Sequence, residues 1–208
     1  PTNRLLSHQN RRRLDAEQLR DALLSVSGLL DARLGGSLLE LENAAYVTND
    51  QSKDAARYDT PRRSIYLPII RNAMLDLFSA FDYPDPSMTV EQRPSTTSPI
   101  QALYLMNSPL VLQVSAKLAK SAVETSSDGR ERVRFLYLAA HGRPPLAEET
   151  ERALGFIASQ TSPREDERPR ADIGEASMES GERLSRETVA WSLFAQVLLV
   201  SNEFLFVE

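Results

Sequence analysis

The most regular stretch of the chain is LDAEQLRDALLSVSGLLDARL, residues 14–34. Its apolar residues recur at intervals of three and four, which places them on one face of a helix. That face carries Leu19, Leu23, Val26, Leu30 and Leu34. Asp15 can cap the N-terminus, with Gln18 as its partner in a capping box, and Gly35 and Gly36 are expected to end the helix. The stretch predicts a long amphipathic helix that packs against a core.

The same helical spacing continues in shorter pieces along the chain. Further helices are predicted at residues 72–81, 100–106, from 109 onward, 131–141, 146–160 and from 185 onward. Residues 64–67 have the β-branched and aromatic content of a short strand, and the prolines between Tyr83 and Pro99 exclude regular structure there. The predicted fold class is mainly α, an irregular helical bundle of about six or seven helices with a long proline-rich central segment and at most one short strand pair.

The domain organisation follows from length and from one change in composition. At 208 residues the chain has the size of a single domain with one core. Between residues 161 and 184 the apolar side chains nearly vanish, and charged and small polar residues dominate. Such a segment cannot bury enough surface to offset its ordering entropy. We therefore predict one mainly helical domain over residues 1–208, with a mobile insert at 161–184.

The composition narrows the classes of partner. The net charge is -5, which argues against nucleic-acid binding because that needs a basic footprint. The only basic run, Arg11–Arg13, is expected to lie on the surface. The chain has no cysteine, which excludes disulfides, thiolate zinc sites and covalent c-type haem attachment within these residues. No apolar run approaches the roughly 20 residues of a membrane helix, so no membrane span is predicted.

Motifs for catalysis and for metal binding are missing from the sequence. His8 and His141 lie in different predicted elements, without further ligands at the spacing that a metal site requires. The Gly35-Gly36 pair lacks the Lys and Ser or Thr of a phosphate-binding loop. We therefore predict no catalytic residue, no metal site and no cofactor in this chain. Whether the chain is an enzyme stays open, and the sequence favours that it is not.

A polar cluster in the irregular middle of the chain is the candidate binding site. Its members are Arg63, Arg71, Asp82, Arg93, Gln101 and Asn107. One interpretation is a scaffold, in which guanidinium and amide groups donate to loop carbonyls that no helix or sheet satisfies. The other is a ligand-facing groove, because loops often carry binding residues. Both interpretations remain open, and the scaffold is favoured.

Several short stretches together carry a family resemblance. They are RRLDAE at 12–17, RDAL at 20–23, RSIYL at 63–67, FDYPD at 81–85, RPSTT at 93–97, QAL at 101–103, MNS at 106–108, GRPP at 142–145 and SNEFL at 201–205. In this order they resemble a planctomycete-type domain of unknown function, which lies C-terminal in large secreted proteins, usually after a cytochrome-c-like domain.

The resemblance implies a setting rather than an activity. It implies that the chain starts inside the family domain, as the C-terminal part of a larger protein, and that the location is extracytoplasmic or at the cell surface. A haem would be carried elsewhere in the parent protein. The family supplies no established catalytic residues, so none is carried over to this sequence.

The favoured function is a non-catalytic helical module for assembly or ligand presentation in a larger secreted, cytochrome-bearing protein. Its expected partners are the other domains of that protein, with a polysaccharide or surface ligand as an open alternative. A second hypothesis is a polysaccharide-processing or other hydrolase-like domain with its site in the central Arg/Asp-rich segment, which would need an acid and a base with separated pKa values in a cleft. A third is a docking module for an electron-transfer partner, which needs a modest acidic or apolar patch.

Overall fold

The computed structural model describes residues 11–36, 38, 58–69, 74–161 and 186–207. In chain order the elements are β1 (Arg12–Arg13), α1 (Ala16–Val26), a 3₁₀ turn (Ser64–Tyr66), α2 (Asp76–Ala80), α3 (Pro99–Asn107), α4 (Pro109–Thr125), α5 (Gly129–His141), α6 (Ala147–Thr161), α7 (Arg186–Leu199), α8 (Asn202–Leu205) and β2 (Phe206–Val207). The prediction of a mainly α fold with at most one short strand pair is confirmed, and the described residues hold one such pair. Within these ranges, α8 is the helix that the apolar spacing did not predict.

The main core lies among the four longer helices α4 to α7. α4 packs along α7, α5 contacts both of them, and α6 packs on α5 and α7. The apolar stripe of α4, formed by Val111, Val114 and Leu118, is buried, as are Trp191 and Leu199 on α7. Each such side chain stabilises the fold by roughly 1.5–3 kcal/mol. α1 joins this core through contacts with α4, and it also contacts α2 and the 3₁₀ turn.

Helix α1 begins as predicted but ends eight residues early. The Asp15 and Gln18 capping box is present, with the Asp15 N–H donating to Gln18 Oε1 at 3.1 Å. The helix stops at Val26 because Gly28 takes a left-handed φ of 72°. Its N–H donates to the Ser25 carbonyl at 3.0 Å and the next N–H donates to the Leu24 carbonyl at 2.9 Å, which is a Schellman motif.

The prediction of a helix through Leu34 was therefore wrong in its second half. Leu29 and Leu30 still pack against the core from non-helical backbone, which is why the apolar spacing continues past the helix. Leu34 is 84% exposed. The spacing of apolar residues is the same in two cases: a helix that continues, and a helix that ends before the chain packs back on the same core. The spacing alone could not distinguish them.

The predicted strand at residues 64–67 was also wrong. Ser64–Tyr66 form a 3₁₀ turn, because the Asp21 carboxylate accepts both the Ser64 N–H, at 2.8 Å, and the Ser64 hydroxyl, at 2.7 Å. The observed strand pair joins the two ends of the described chain instead. Arg13 pairs with Phe206, and Arg12 with Val207, in antiparallel register.

Two further predictions fall partly outside the described residues. Of the insert predicted at 161–184, only Thr161 at the end of α6 is described. The helix predicted at 72–81 is described from residue 74 and begins at Asp76. No helix in the described ranges combines the length and the hydropathy that crossing a membrane requires.

Candidate functional site

The centre of the molecule is organised around Asp82, which comes after Phe81, the C-cap residue of α2. Asp82 has a φ of 60°, and the Tyr83 N–H closes the helix end by donating to the Phe78 carbonyl at 3.0 Å. This is the position after a helix that glycine usually fills. This conformation turns the chain away from α2. The Asp82 carboxylate then faces Thr96, which lies later in the proline-rich segment.

Four side chains meet at this carboxylate and form what we call the Asp82 cluster: Arg13, Asp82, Thr96 and Gln101. The Thr96 N–H donates to Asp82 Oδ2 at 2.8 Å, and the Thr96 hydroxyl donates to Oδ1 at 2.9 Å. Gln101 Nε2 lies 3.4 Å from Asp82 Oδ2, and Gln101 Oε1 accepts the Ser98 N–H as part of the capping box of α3. The cluster therefore fixes both the proline-rich segment and the start of α3.

Arg13 supplies the positive charge of the Asp82 cluster. One guanidinium nitrogen lies 2.8 Å from Asp82 Oδ2 and also donates to the Phe81 carbonyl at 3.3 Å, while the other donates to the Thr96 carbonyl. The guanidinium carbon lies 5.3 Å from the centre of the Phe81 ring. Arg13 is buried, so the prediction that all of Arg11–Arg13 lies on the surface was wrong for this residue. Its place on β1, held by Phe206, brings the side chain inward.

The charges in the cluster stabilise the ionised form of the aspartate. Burial raises the pKa of the Asp82 carboxyl, but the Thr96 N–H, the Arg13 guanidinium and the Thr96 hydroxyl together outweigh burial and hold the pKa below its usual range. Asp82 is therefore a carboxylate at neutral pH. A general acid would need the opposite shift, because it must hold its proton near the operating pH.

Arg93 makes a second bridge from the proline-rich segment to α1. Its two terminal nitrogens donate to the two oxygens of Glu17 at 2.7 and 2.8 Å, and its guanidinium carbon lies 5.2 Å from the centre of the Tyr83 ring. Burial raises the pKa of Glu17, but the hydrogen bond from Arg93, a backbone hydrogen bond and the charge of Arg93 together outweigh burial and lower the pKa overall. This parallel two-bond geometry fixes orientation as well as charge.

A third arginine, Arg20, holds the segment around the 3₁₀ turn. It is almost completely buried on α1 and donates to the Arg62 carbonyl at 2.7 Å and to the Thr60 carbonyl. Burial lowers the pKa of Arg20, and the adjacent Asp21 acts against that shift. The guanidinium stays charged, because arginine does not lose its proton in proteins.

The structure separates the predicted binding residues into different places. Asp82 and Gln101 share the Asp82 cluster, and Arg93 lies beside it through Tyr83. Arg63 is half-exposed near Asp21, with 3.6 Å between Nε and Oδ2, and Asn107 caps the exposed end of α3 by donating to the Leu103 carbonyl. Arg71 lies outside the described residues. Ligand binding by these residues stays a prediction.

Arg13, Glu17 and Arg20, on the α1 side of the centre, were not predicted from the sequence as part of the site. Arg20 lies four residues after Ala16 and three before Leu23, and all three residues are buried. That spacing places Arg20 on the apolar face of α1. It could have indicated a buried polar contact, because a charged residue on such a face needs buried partners. Among the described residues, no group of three or more His, Asp or Glu side chains could hold a metal ion.

The fold and its centre define a mainly helical module whose irregular middle is fixed to its first helix and first strand by arginines. The chain belongs to the family described as a protein of unknown function (DUF1553), whose model matches residues 1–157. Comparison with curated proteins and with solved structures gave no match to either.

Proposed function

We propose that this chain is a non-catalytic helical module that serves assembly or ligand presentation within a larger protein. The observation that supports this most is the use of the central arginines. Arg13, Arg20 and Arg93 each donate to main-chain carbonyls or to carboxylates of the same chain. In each of them both terminal nitrogens donate inside the protein, and they cannot bind a substrate without giving up those bonds.

The exposed side of α3 supports the assembly part of the proposal. Ile100, Leu103 and Met106 recur every three residues on this helix and are 67%, 57% and 56% exposed. The helix PIQALYLMN carries no charged residue. Contiguous exposed apolar surface commonly marks an interaction site. In this arrangement the Asp82 cluster sets the direction of α3, and α3 presents the apolar surface to another domain of the parent protein.

The setting of the module is part of the same proposal. The motif resemblance supports a parent protein that is secreted or displayed at the cell surface and that carries a haem in another domain. The test is cell fractionation of the native full-length protein, followed by haem staining of the band that an antibody to this chain detects. An extracytoplasmic, haem-positive band is expected. A cytoplasmic band without haem would contradict the proposed location and the proposed haem-bearing parent protein. It would not contradict the assembly role.

The scaffold interpretation is tested by comparing two salt bridges. Arg93→Ala removes the bidentate bond to Glu17 and should lower the free energy of unfolding by about 1.5–3 kcal/mol. Arg130→Ala is the matched control, because Arg130 and Glu151 are both exposed and such pairs contribute about 0–1 kcal/mol. Urea unfolding monitored by circular dichroism gives both values. Equal, small losses for the two variants would count against the scaffold.

A glycan array on the unmutated protein separates the scaffold from the polysaccharide hypothesis. The scaffold predicts no glycan binding. Glycan binding that Arg63→Ala abolishes, while the melting temperature stays unchanged, would replace the proposal with a polysaccharide-binding or hydrolase-like function. Arg63 suits this test because its side chain is half-exposed and, within the part of the chain that the structure describes, its ion-pair contact is a long one to Asp21.

A further inference from the structure

Helix α3 is held at both of its ends by polar contacts, although its outer side is exposed. At the N-terminal end, Gln101 connects the helix to the Asp82 cluster, with 3.4 Å between Gln101 Nε2 and Asp82 Oδ2. At the C-terminal end, Nε2 of Gln196 on α7 donates to the Met106 carbonyl at 3.0 Å and lies 3.4 Å from the Leu105 carbonyl. The outer side of α3 is therefore fixed in place before any partner arrives, and such a surface loses less conformational freedom on binding.

The contact through Gln196 places α7 beside α3 and extends the exposed apolar surface. Val197 directly follows Gln196 and is 50% exposed. Val189 lies seven residues, about two turns, before Gln196, so it is on the same side of α7, and it is 41% exposed. Together with the exposed residues of α3 they form what we call the α3–α7 surface: Ile100, Leu103, Met106, Val189 and Val197.

The α3–α7 surface differs from the rest of the chain in its charge. One residue in four of the whole chain is charged, since charged residues make up 25% of the sequence. In contrast, α3 has no charged residue, and neither has α7 from Thr188 to Leu199. A charged group that is pressed against this surface loses its hydration and gains no ionic partner. A matching partner is therefore uncharged and apolar where it touches the surface.

A second copy of the chain meets this requirement by symmetry. A two-fold axis through the α3–α7 surface brings the surface against itself, so both sides of the contact are uncharged. With a net charge of -5, two copies repel each other on average, and the repulsion is smallest where neither face carries charge. Interfaces between identical copies are also more apolar than interfaces between transient partners.

We propose that a second copy of this chain docks on the α3–α7 surface, with the same residues on both sides of a two-fold axis. The proposal rests on the assembly function above and names the partner of that surface. Five partly exposed side chains supply less than the roughly 800 Å² per partner that a stable interface buries. The association is therefore weak, with a Kd on the order of 100 µM, and it joins two parent molecules through this module.

Sedimentation velocity of the full chain from about 10 to 500 µM tests the proposal. The wild type should change from monomer to dimer across this range. Leu103→Glu should weaken the dimer at least about tenfold, because a two-fold interface contains every substitution twice. Leu138→Glu is the matched control, since Leu138 is also an exposed leucine but lies on α5, and it adds the same charge to the chain. Its dimer should be as strong as that of the wild type. If Leu103→Glu fails to fold, Val197→Glu places the charge on the α7 side of the surface.

Two results would overturn the proposal. One is a wild-type chain that stays monomeric over the whole range, and the other is a dimer that a charge at Leu103 or Val197 weakens no more than a charge at Leu138. Failure of the assembly function is a separate result, because a large loss of unfolding free energy in Leu103→Glu would show that the surface is already covered within the chain. A monomeric wild type with a stable Leu103→Glu variant would remove only the second copy as the partner.

Discussion

Asp82 occupies a left-handed backbone position that costs about 1–2 kcal/mol for a residue with a Cβ atom. Asparagine and aspartate tolerate this position better than most side chains, but glycine fits it without strain. The carboxylate explains the choice of residue, since it accepts from both groups of Thr96 and from Arg13. At this position the hydrogen bonds of the side chain outweigh the preference of the backbone.

Replacing Asp82 separates these two effects. Asp82→Gly relieves the backbone strain and removes the carboxylate, while Asp82→Asn keeps a residue that tolerates the conformation and removes only the charge. We expect both variants to lose about 2–3 kcal/mol of unfolding free energy, because each leaves Arg13 buried without its anion. Urea denaturation measures the loss. A stabilised Asp82→Gly would show that the backbone, and not the carboxylate, determines this residue.

At the scale of single elements, features that depend on neighbouring residues could be predicted from the sequence, and features that depend on distant residues could not. The capping box of Asp15 and Gln18 lies within one turn, so the sequence contained all of it. The 3₁₀ turn at Ser64 depends on Asp21, which lies 43 residues earlier. No property of residues 63–67 alone could have revealed that contact, and their β-branched and aromatic content indicated a strand instead.

Two glycines give opposite predictions for the same substitution. Gly28 ends α1 at a φ of 72°, and a Cβ atom there would meet no neighbour within 4 Å, so Gly28→Ala carries the conformational cost alone, about 1 kcal/mol of destabilisation. Gly155 lies inside α6, also with nothing within 4 Å. Gly155→Ala should stabilise by about 0.5–1 kcal/mol. Thermal unfolding of both variants measures the difference, and changes of the same sign would contradict the bounds of α1 and α6.

The two sides of α3 also differ in a testable way. Leu103 is 57% exposed, whereas Leu105 is 2% exposed. Leu103→Asn should change the unfolding free energy by no more than about 0.5 kcal/mol, while Leu105→Asn should cost about 3 kcal/mol or more, because it adds a polar group to the core and removes apolar volume. Chemical denaturation of both variants tests this. A large loss for Leu103→Asn would mean that the proposed assembly surface is already covered within the chain.

At the scale of the whole molecule, seven of the eight α-helices in the described residues could be predicted because apolar spacing is a local property. The pairing of Arg13 with Phe206 could not, since it joins residues at opposite ends of the chain through strands of two residues each. Such strands are too short to show an alternating pattern. The helical fold class could therefore be predicted from the sequence, but the pairing of β1 with β2 could not.

The candidate site could also be predicted only in part from the sequence. Asp82, Arg93 and Gln101 could be selected because they lie in a proline-rich segment without regular structure. Their partners Arg13 and Glu17 lie in or next to a strongly helical stretch, where charged residues ordinarily face water. Only the packed molecule brings the two groups together. The sequence thus indicated one half of each bridge and left the other half to tertiary structure.

Arginines hold the irregular middle of this protein in place, and replacing Arg13 is the sharpest test of this claim. Arg13→Lys keeps the charge but cannot reach the Thr96 carbonyl, the Phe81 carbonyl and the Asp82 carboxylate at once. Arg12→Lys is the control, since the Arg12 side chain is half-exposed. The measurement is the free energy of unfolding in urea. We predict a loss of about 2–3 kcal/mol for Arg13→Lys and less than about 0.5 kcal/mol for Arg12→Lys, and an unchanged Arg13→Lys protein would contradict the claim.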